Sequence, residues 1–375
     1  MTIDILDNIG EYITDKVNIS EIDTKKYVTT DNLLQNRQGI VDYEETPNID
    51  RVTKFENNDI LISNIRPYLK KIWFADRSGG CSNDVLVIRN ANLKKTLPKF
   101  LFNILSTDTF FDYVMANKKG VKMPRGDKEK ILHFLIPLPP LDIQQQIVDA
   151  CQIIDEDVAA AKERIEQTLQ DIDTVTTNFY QQGYPIKRLT DIAILNPSKS
   201  EVSSKQDSLE VSFVEMSSVN ENGYIDHKED RRLKDVKQGS YKYFAENDII
   251  IAKITPCMEN GKCAIATELT NNIGFGSSEF HVIRVDDKVS SSNYVFAFLN
   301  RETIRLEAEK HMTGSSGHRR VPAGFYQNLE IPLPNIDEQI KLVNTINQLH
   351  NRIAQAQAII DASVDKKHTI IESYL

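Results

Sequence analysis

Two patterns of hydrophobic residues alternate along the chain and predict different secondary structures. Short β-branched runs bounded by Gly, Asn, Asp or Pro are typical of strands, and the clearest are DILISNI, DVLVIR, DIIIAKI and FHVIR. Between such runs, the stretches from Lys99 to Val114 and from Ser292 to Ala308 have the spacing of helices. The pattern therefore predicts mixed α and β structure in both halves of the chain.

Two much longer segments repeat apolar residues at helical spacing. No Gly or Pro occurs between Val148 and Gln182 or from Asn335 to Leu375. Each segment therefore predicts one uninterrupted helix of about 35 to 40 residues, spanning some 50 to 60 Å, and helices of this length favour a coiled coil. The residues expected to form the coiled coil or to bind a partner are Ile147, Ile154, Ile165, Leu169, Val343, Ile353 and Ile360.

Each long helix is expected to begin just after an IPLP strand and turn. Asp142, with Gln145 three residues later, can cap the first helix. Asn335 and Glu338 offer similar chemistry for the second helix, at a slightly earlier position. Both helices thus have a defined predicted start.

The chain repeats itself in several blocks that occur in the same order. NDILISNIRP, starting at Asn58, matches NDIIIAKITP, starting at Asn247, and CSNDVLVIR matches GSSEFHVIR. FLIPLPPLDIQQQIV matches LEIPLPNIDEQIKLV without a gap at an offset of 195 residues, and a weaker match links YVTTDNL with FVEMSSV. Diverged blocks in one order indicate a tandem duplication of roughly 190 residues.

The duplication and the helical segments divide the chain into four predicted regions. Mixed domains are expected at residues 1–139 and 185–334, and helical spacers at residues 140–184 and 335–375. The predicted fold class is α+β: two mixed α/β domains separated by two long antiparallel coiled-coil helices, with a pseudo-twofold internal repeat.

Composition is that of an ordinary globular protein. Of 375 residues, 40% are hydrophobic and 26% charged, which suits two or three domains. No run approaches the roughly 20 apolar residues of a membrane span, and the N-terminus lacks the features of a secretory signal. We therefore expect no membrane association and a cytoplasmic location. Four irregularly spaced cysteines predict reduced, mostly buried thiols.

The net charge of −9 matters because DNA binding requires local positive charge. The acidity is segregated: residues 141–180 contain nine acidic and two basic side chains, and residues 336–375 contain five and four. The rest of the chain is nearly neutral and can carry basic patches. The charge therefore neither demands nor excludes nucleic acid, and the acidic helix surfaces suit protein contacts better than DNA.

The sequence lacks the motifs of enzymes that modify or move along DNA. It has no NPPY or DPPY tetrapeptide, no P-loop, no HExxH and no paired Cys and His spacing. Pro256-Cys257 stands without the other motifs of a cytosine methyltransferase, so Cys257 is expected to be a small buried residue at a strand end. We predict a non-catalytic chain that itself binds no cofactor and no metal.

Basic residues concentrate in loops at matched positions, just before each long helix. The loops are NKKGVKMPRGDKEK in the first copy and TGSSGHRRVP in the second. Glycine lets a loop backbone approach a surface, and Arg and Lys can bind phosphates or guanine. A lone lysine-rich loop is equally well explained as solvated, but its recurrence in both copies favours DNA contact. The predicted contacts are Lys118, Lys119, Lys122, Arg125, Lys128, Ser315, Ser316, His318, Arg319 and Arg320.

Two further basic groups are weaker candidates for DNA contact. The group after the NDIL strand and its counterpart comprises Arg66, Tyr68, Lys70, Lys71, Lys253 and Lys262. The other group comprises Arg231, Arg232, Lys234 and Lys237. A solvated surface explains both groups as well as DNA contact does.

The repeated blocks resemble those of the specificity subunits of type I restriction-modification systems. The NDIL block with its following RP, the CSNDVLVIR strand and the IPLPP segment that opens a long helix carry the resemblance, which covers the whole chain. It implies that the mixed domains are target recognition domains, each reading one half of a bipartite, asymmetric site in double-stranded DNA. The helices would set the distance between the halves.

The resemblance also implies partners. Two methyltransferase subunits would dock on the helices and modify adenine with S-adenosylmethionine, which the partner binds and this chain does not. A restriction and translocase subunit joins the same complex in such systems.

Two other classes of function stay open on the sequence alone. One is a scaffold or interaction protein with two globular heads on a coiled coil and no DNA binding. The other is a stand-alone enzyme, which would transfer methyl groups without a partner. Binding of a random duplex that weakens steeply with salt would favour DNA recognition over the scaffold.

Overall fold

The computed structural model describes residues 2–44, 49–221, 223–315 and 317–375. The chain divides into two compact units. Unit 1 comprises Met1–Glu163 and Ala356–Leu375, and unit 2 comprises Arg164–Gln355. The division falls within the two predicted helical spacers, so each unit contains one mixed domain together with parts of both long helices.

Unit 1 contains small sheets and short helices before its long helix. Its strands are β1 (Thr2–Ile5), β2 (Gly10–Tyr12), β3 (Lys16–Asn18), β4 (Tyr27–Val28), β5 (Arg51–Phe55), β6 (Ile60–Ser63), β7 (Ile72–Phe74), β8 (Gly79–Cys81), β9 (Val85–Asn90) and β10 (Leu135–Leu138). Its helices include α1 (Pro98–Leu105), α2 (Asp108–Ala116), α3 (Lys128–Leu132) and the first part of α4 (Leu141–Tyr180). β1 pairs with β10, and the other strands form sheets of order β2-β9-β6-β7 and β3-β5-β8-β4.

Unit 2 is built from the same kinds of element. Its strands are β11 (Ile186–Arg188), β12 (Ala193–Leu195), β13 (Glu210–Val214), β14 (Glu229–Arg232), β15 (Lys242–Ala245), β16 (Ile249–Ala252), β17 (Cys263–Ile265), β18 (Ile273–Gly276), β19 (Phe280–Val285) and β20 (Glu330–Pro332). Its short helices are α5 (Leu233–Lys237), α6 (Ser292–Leu299), α7 (Glu302–Lys310) and α8 (Ala323–Asn328). β11 pairs with β20, and the two sheets have the orders β12-β19-β16-β17 and β14-β13-β18-β15.

The sheets of the two units match except for one edge strand. The order β2-β9-β6-β7 recurs as β12-β19-β16-β17. In the other sheet, β4 pairs parallel with β8 just as β13 pairs parallel with β18, which accounts for the weak sequence match between YVTT and FVEM. The fourth strand differs: β3 lies beside β5 in unit 1, whereas β14 lies beside β13 in unit 2. The duplication therefore preserved the sheet centres and changed an edge.

The most apolar strands are buried on both faces. In β6, Ile60 and Ile62 pack into a core with the helices, while Leu61 points into a second core with the neighbouring sheet. In β16, Ile249 and Ile251 pack with the helices and Ile250 with the other sheet. A strand covered on both sides has no polar face, so its sequence is a continuous apolar run rather than an alternating one.

Each of the two helical stretches predicted between strands is in fact a pair of short helices. The stretch from Lys99 to Val114 is divided into α1 and α2, and that from Ser292 to Ala308 into α6 and α7. Thr107 caps α2 by accepting a hydrogen bond from the backbone N–H of Phe110 at 3.4 Å. A hydroxyl in that position satisfies an N–H that has no partner within the helix, so a new helix can start there.

The two long helices were predicted to be uninterrupted, and this is correct for only one of them. α4 is continuous over 40 residues. The second consists of α9 (Ile336–Asp361) and α10 (Ser363–Tyr374), which meet at Ala362. The Ser363 hydroxyl donates to the carbonyl of Ile360 at 2.6 Å, and such a local bond competes with the helical pattern and can bend a helix.

The helices pack antiparallel inside each unit. In unit 1, Ile147 near the start of α4 shares a core with Ile371 near the end of α10, and Asp155 forms an ion pair with Lys367. In unit 2, Val175 near the end of α4 packs in the core that contains Leu342 near the start of α9. This is the antiparallel helix packing predicted from the sequence.

The predicted contact residues differ in how deeply they are buried. Ile147 is fully buried, and five others, Ile154, Ile165, Val343, Ile353 and Ile360, are half-buried. Leu169, however, is 55% exposed, whereas the neighbouring Thr168 is 4% exposed. Thr168, and not Leu169, therefore lies in the helix contact. That Leu169 binds a partner stays a prediction.

One of the two predicted N-caps is present. The Asn335 side chain accepts a hydrogen bond from the backbone N–H of Glu338 at 3.0 Å and caps α9. Asp142, in contrast, lies inside the first turn of α4, which begins at Leu141. The helix therefore starts two residues earlier than a cap at Asp142 would place it.

The cysteines are free, and Cys81, Cys151 and Cys263 are buried as predicted. Cys257 is only half-buried and lies in a turn after β16, not at the strand end. In the part of the chain that the structure describes, no helix is long and apolar enough to cross a membrane.

Candidate nucleic-acid interface

The repeated NDI and VIR motifs meet in each unit through a buried ion pair. Arg89 Nε and Nη2 donate to the two carboxylate oxygens of Asp59 at 2.7 and 2.8 Å. Arg284 makes the same two contacts with Asp248 at 2.8 and 2.7 Å. The carboxylates are buried and raise the pKa of both arginines. These motifs therefore recur because they hold the sheet together.

In unit 1 the predicted basic loop is anchored to the segment that follows β6. We call residues 117–127 loop A. Lys119 and Arg125 close its base with two backbone hydrogen bonds of 2.8 and 2.9 Å. The backbone N–H of Arg66 donates to the carbonyl of Pro124 at 2.8 Å. The structure thus brings together two basic segments that are about 50 residues apart in sequence and that were predicted as separate candidates.

Unit 2 repeats this arrangement. We call residues 313–321 loop B. Thr313 and Arg320 close its base with backbone hydrogen bonds of 3.0 and 2.8 Å. The backbone N–H of Thr255, which follows β16, donates to the carbonyl of Arg319 at 3.0 Å. Both loops are therefore held in the same way against equivalent segments.

An arginine at the base of each loop is paired with a carboxylate that precedes an equivalent strand. Arg125 lies 3.2 Å from Asp84, before β9. Arg320 forms a bidentate pair with Glu279, before β19, at 2.8 and 2.9 Å, and this lowers the pKa of Glu279. Both arginines were predicted DNA contacts. Their side chains already anchor the loops, so their role toward DNA stays a prediction.

Other predicted DNA contacts are also engaged inside their own unit. Lys70 pairs with Asp108 at 2.7 Å, and Lys119 pairs with Asp127 at 2.9 Å. Two further predicted contacts are engaged in the same way. Arg319 lies 3.4 Å from Glu309 and 3.6 Å from Glu259. Lys253 donates to the carbonyl of Ser278 at 2.9 Å and lies 3.8 Å from Glu279. These cations are partly neutralised.

A smaller set of cations is exposed and unpaired. Within the described residues, Arg66, Lys122 and Lys128 have no ion-pair partner, and Lys118 contacts only the carbonyl of Met115, at 3.3 Å. Tyr68, on the same segment as Arg66, is exposed as well. These side chains are available for phosphates or bases. In loop B, Ser315 and His318 are exposed, and Ser316 lies outside the described residues.

The sequence profile of the family described as "Type I restriction modification DNA specificity domain" matches residues 4–170 and again residues 182–362. The chain belongs to this family. The two matches correspond to the two copies of the internal repeat.

Relatives of this family in Escherichia coli are similar over about half of the chain. The type I restriction enzyme EcoAI specificity subunit is 37% identical over 194 residues, which are 52% of this chain and 32% of that protein. The EcoEI specificity subunit is 34% identical over 197 residues, again 52% and 32%. The chain thus matches about a third of the length of these relatives.

Solved structures of type I systems have the same fold. One, described as showing complex assembly and conformational transition of the type I R-M system, has a TM-score of 0.60 and 18% identity over 100% of this chain and 97% of that chain. The type I restriction-modification S subunit from M. genitalium has a TM-score of 0.53 and 12% identity, covering 100% and 96%. At these identities the likeness concerns the fold alone.

In the basic group of residues 231–237 of this family member, two of the four cations are paired. Arg231 contacts Glu229 at 2.8 Å and lies over the ring of Phe213 at 3.6 Å. Lys237 pairs with Asp207. Arg232 and Lys234 are exposed. Of the second group, Lys71 and Lys262 donate to main-chain carbonyls of Thr30 and Met216.

The structural role of two buried glutamines at the start of the long helices was not predicted from the sequence. The side-chain carbonyls of Gln144 and Gln339 accept backbone hydrogen bonds from Leu97 at 2.9 Å and Ser291 at 3.1 Å. Each side-chain amide donates to the carbonyl five residues earlier, at 2.9 and 3.0 Å. Each glutamine thus joins a long helix of this family member to its domain. Their identity at an offset of 195 residues was the available signal.

No group of His, Cys, Asp and Glu able to hold a metal ion occurs among the residues that the structure describes.

Proposed function

We propose that this chain is a sequence-specific DNA-recognition subunit that binds a bipartite, asymmetric site. Loop A would contact one half-site and loop B the other. The observation that carries the proposal is the recurrence of one anchored basic loop in both units, each closed at its base and pinned to the segment after the equivalent strand. An anchored loop presents its side chains with little ordering cost on binding.

The two half-sites are expected to differ because the loops differ. Loop A carries Lys118, Lys122 and the neighbouring Arg66, whereas loop B is short and rich in Gly and Ser around His318. Phosphate contacts position a protein on DNA, and base-edge contacts give it specificity. The shared anchors support a common way of docking, and the different loop sequences support different bases.

Salt dependence of DNA binding is the direct test. The affinity of the full chain for a random duplex should fall steeply with salt, since each neutralised phosphate contributes about −0.9 to the slope of log affinity against log salt. Replacing Lys122 or Lys128 with Ala should lower the magnitude of that slope by about one each. Both residues are exposed and unpaired, so the fold should be unaffected.

Lys94→Ala is the matched control for these substitutions. Lys94 is exposed and follows β9, whereas Asp84, which anchors loop A, precedes that strand. The control should leave the slope unchanged. Binding that does not respond to salt, or a slope altered equally by all three variants, would contradict the proposal and favour a scaffold.

We further propose that the long helices bind methyltransferase subunits. Ile153 and Leu169 on α4 and Ile340 on α9 are large apolar residues that remain exposed within their units. Exposed apolar residues on acidic helices suit a protein partner better than DNA. The partner would bind S-adenosylmethionine and transfer the methyl group to adenine, while this chain performs no chemistry. A restriction and translocase subunit could join the same assembly.

Methyl transfer with and without a partner tests this division of labour. The purified chain should transfer no methyl group from S-adenosylmethionine to DNA, and addition of the methyltransferase subunit should produce adenine methylation at one bipartite site. Leu169→Asp should weaken co-purification of that subunit, whereas Asp173→Asn, an exposed change on the same helix, should not. Methylation by the chain alone would contradict the proposal.

A further inference from the structure

The tip of loop A exposes apolar side chains that the fold leaves in water. Val121 is 96% exposed and Met123 is 49% exposed. Transfer of such side chains out of water is favourable, so their position at the end of a loop is expected to serve a contact with another surface. Neither residue was a candidate on the sequence, since both lie among lysines.

Val121 and Met123 are exposed although hydrogen bonds hold the base of loop A in place. Backbone hydrogen bonds between Lys119 and Arg125 close the loop, and the buried Pro124 is bound by the backbone of Arg66. Gly126 lies so close to the first domain that an added Cβ would meet Asn64 Oδ1 at 2.8 Å. Residues 120–123, which lie between these anchored positions, are all exposed.

The surroundings of the tip have the charge of a DNA-binding surface. Lys118, Lys122 and Arg66 are exposed around Val121 and Met123, and none has an ion-pair partner in the described part of the chain. These cations can bind phosphates, whereas the side chains of Val121 and Met123 are apolar and suit apolar contacts with the bases. The apolar group that the major groove offers is the 5-methyl group of thymine.

Loop B has no equivalent apolar tip. Its corresponding residues in sequence are Gly314, two serines, Gly317 and His318. The two loops share their anchors but differ at the point that reaches furthest from the base. A thymine methyl contact is therefore expected in one half-site and not in the other.

We propose that Val121 and Met123 form a specificity-determining tip that contacts thymine 5-methyl groups in the major groove of the half-site read by unit 1. This inference rests on the proposed DNA-recognition function. It adds residues and a base feature that the basic loops alone do not specify.

Replacement of thymine by deoxyuracil tests the contact, because it removes only the methyl group. The preferred duplex is first selected from random sequences with the full chain, and each thymine is then replaced in turn. At one or more positions, all within one half-site, binding should weaken about three- to ten-fold, the amount expected for one or two buried methyl groups. Deoxyuracil in the other half-site should have little effect.

The double variant Val121→Ala, Met123→Ala should bind the thymine duplex as weakly as the wild type binds the deoxyuracil duplex. The same substitution in the DNA should then cause no further loss. Leu93→Ala, an exposed apolar residue on the segment after β9, should retain the full response to deoxyuracil. All variants change exposed side chains, and circular dichroism should show unchanged folding.

The outcomes separate this inference from the function on which it rests. If binding is specific and salt-dependent but no thymine is sensitive to deoxyuracil, or if the double variant keeps the sensitivity, the tip contact is wrong and DNA recognition stands. If the full chain has no sequence preference at all, both are wrong.

Discussion

Asp59 and Asp248 explain, at the scale of single residues, why two short motifs recur in the chain. Each carboxylate is buried and accepts two hydrogen bonds from an arginine on a neighbouring strand, Arg89 or Arg284. A buried carboxylate without its partner is costly, so neither motif can change alone. The NDI and VIR blocks thus serve the fold, and we expect DNA contacts from residues outside them.

Asp59→Asn should destabilise unit 1 and leave unit 2 intact. Loss of the Asp59 charge leaves Arg89 with only the more exposed carboxylate of Glu56, 3.2 Å away, as a charged partner. Loss of a charge-assisted hydrogen-bonded pair of this kind costs about 1.5–3 kcal/mol of unfolding free energy. Trp73, the single tryptophan, is buried in unit 1, so its fluorescence during urea unfolding reports that unit. The matched change Asp248→Asn should not move the Trp73 transition. A shift of Trp73 with both variants would contradict the assignment.

His281 is expected to make unit 2 sensitive to acid. Its ring is buried; Nε2 donates to the carbonyl of Val321 at 2.9 Å, and Nδ1 accepts from the amide of Asn196 at 3.3 Å. The Asn196 carbonyl is already bound to the backbone N–H of Val282. Burial lowers the pKa of His281, because the charged ring would lose water and would direct a proton at the amide.

The unfolding free energy of unit 2 should therefore fall as pH drops below about 6.5. The pKa of His281 is lower in the folded than in the unfolded state, so below that value the unfolded state binds more protons. When the pH is lowered from 7.5 to 5.5, urea unfolding followed by circular dichroism should show a transition whose midpoint moves to lower urea concentration. His281→Leu, which copies Leu86 at the matched position of unit 1, should remove much of that movement. An equal pH response in the variant would exclude His281 as the cause.

At the scale of elements, the seam of α4 follows a strict heptad spacing. From Ile147 the steps of four and three residues lead through Ile154 and Ile165 to Thr168, not to Leu169. A polar residue thus lies on the seam and a leucine beside it. Hydrophobicity alone predicts that the leucine lies on the seam, whereas the heptad register predicts the threonine. In the structure the threonine is the buried residue.

Leu169→Ala and Leu349→Ala should therefore have very different effects on stability. Both leucines lie on long helices in unit 2, but Leu349 is 7% exposed and Leu169 is 55% exposed. Truncation of Leu349 should cost about 2–5 kcal/mol, and truncation of Leu169 should stay within about 0.5 kcal/mol. Urea unfolding followed by circular dichroism measures both. Similar losses for the two variants would contradict the observed register.

The sequence predicted most of the elements correctly where hydrophobic pattern decides them. The strands of the NDI and VIR blocks are present, and α4 is as long as predicted. The errors in helix continuity arose where a single hydroxyl bonds to the backbone. Thr107 starts a new helix inside a continuous apolar stretch, and Ser363 interrupts the second long helix. Such bonds depend on local geometry, which hydrophobic periodicity does not contain.

At the scale of the whole molecule, α4 and α9 are elements that belong to both units. α4 is continuous over 40 residues, and the division between the units falls between Glu163 and Arg164. α9 crosses the corresponding division between Gln355 and Ala356. If each unit reads one half-site, we expect these helices to set the spacing between the two half-sites.

Insertion of one heptad at both divisions should lengthen the spacer without changing either half-site. Seven residues keep the coiled-coil register and add about 10 Å, which corresponds to roughly three base pairs. Mapping of methylated adenines would measure the new spacer. A seven-residue insertion after Gly183, in the loop beyond α4, should leave the spacer unchanged. Altered half-sites, or an unchanged spacer despite the longer helices, would contradict the idea that the helices set the spacer length.

The duplication, the mixed domains, the long helices and the two basic loops could all be predicted from the sequence. These features follow from periodicity and from residues matched at fixed offsets, which are properties of the chain alone. The sequence could not predict which cations are free, because ion pairs join residues far apart along the chain and depend on the fold. Arg125 and Arg320 are paired with Asp84 and Glu279, while Lys122 remains available, although all three cations look alike in the sequence.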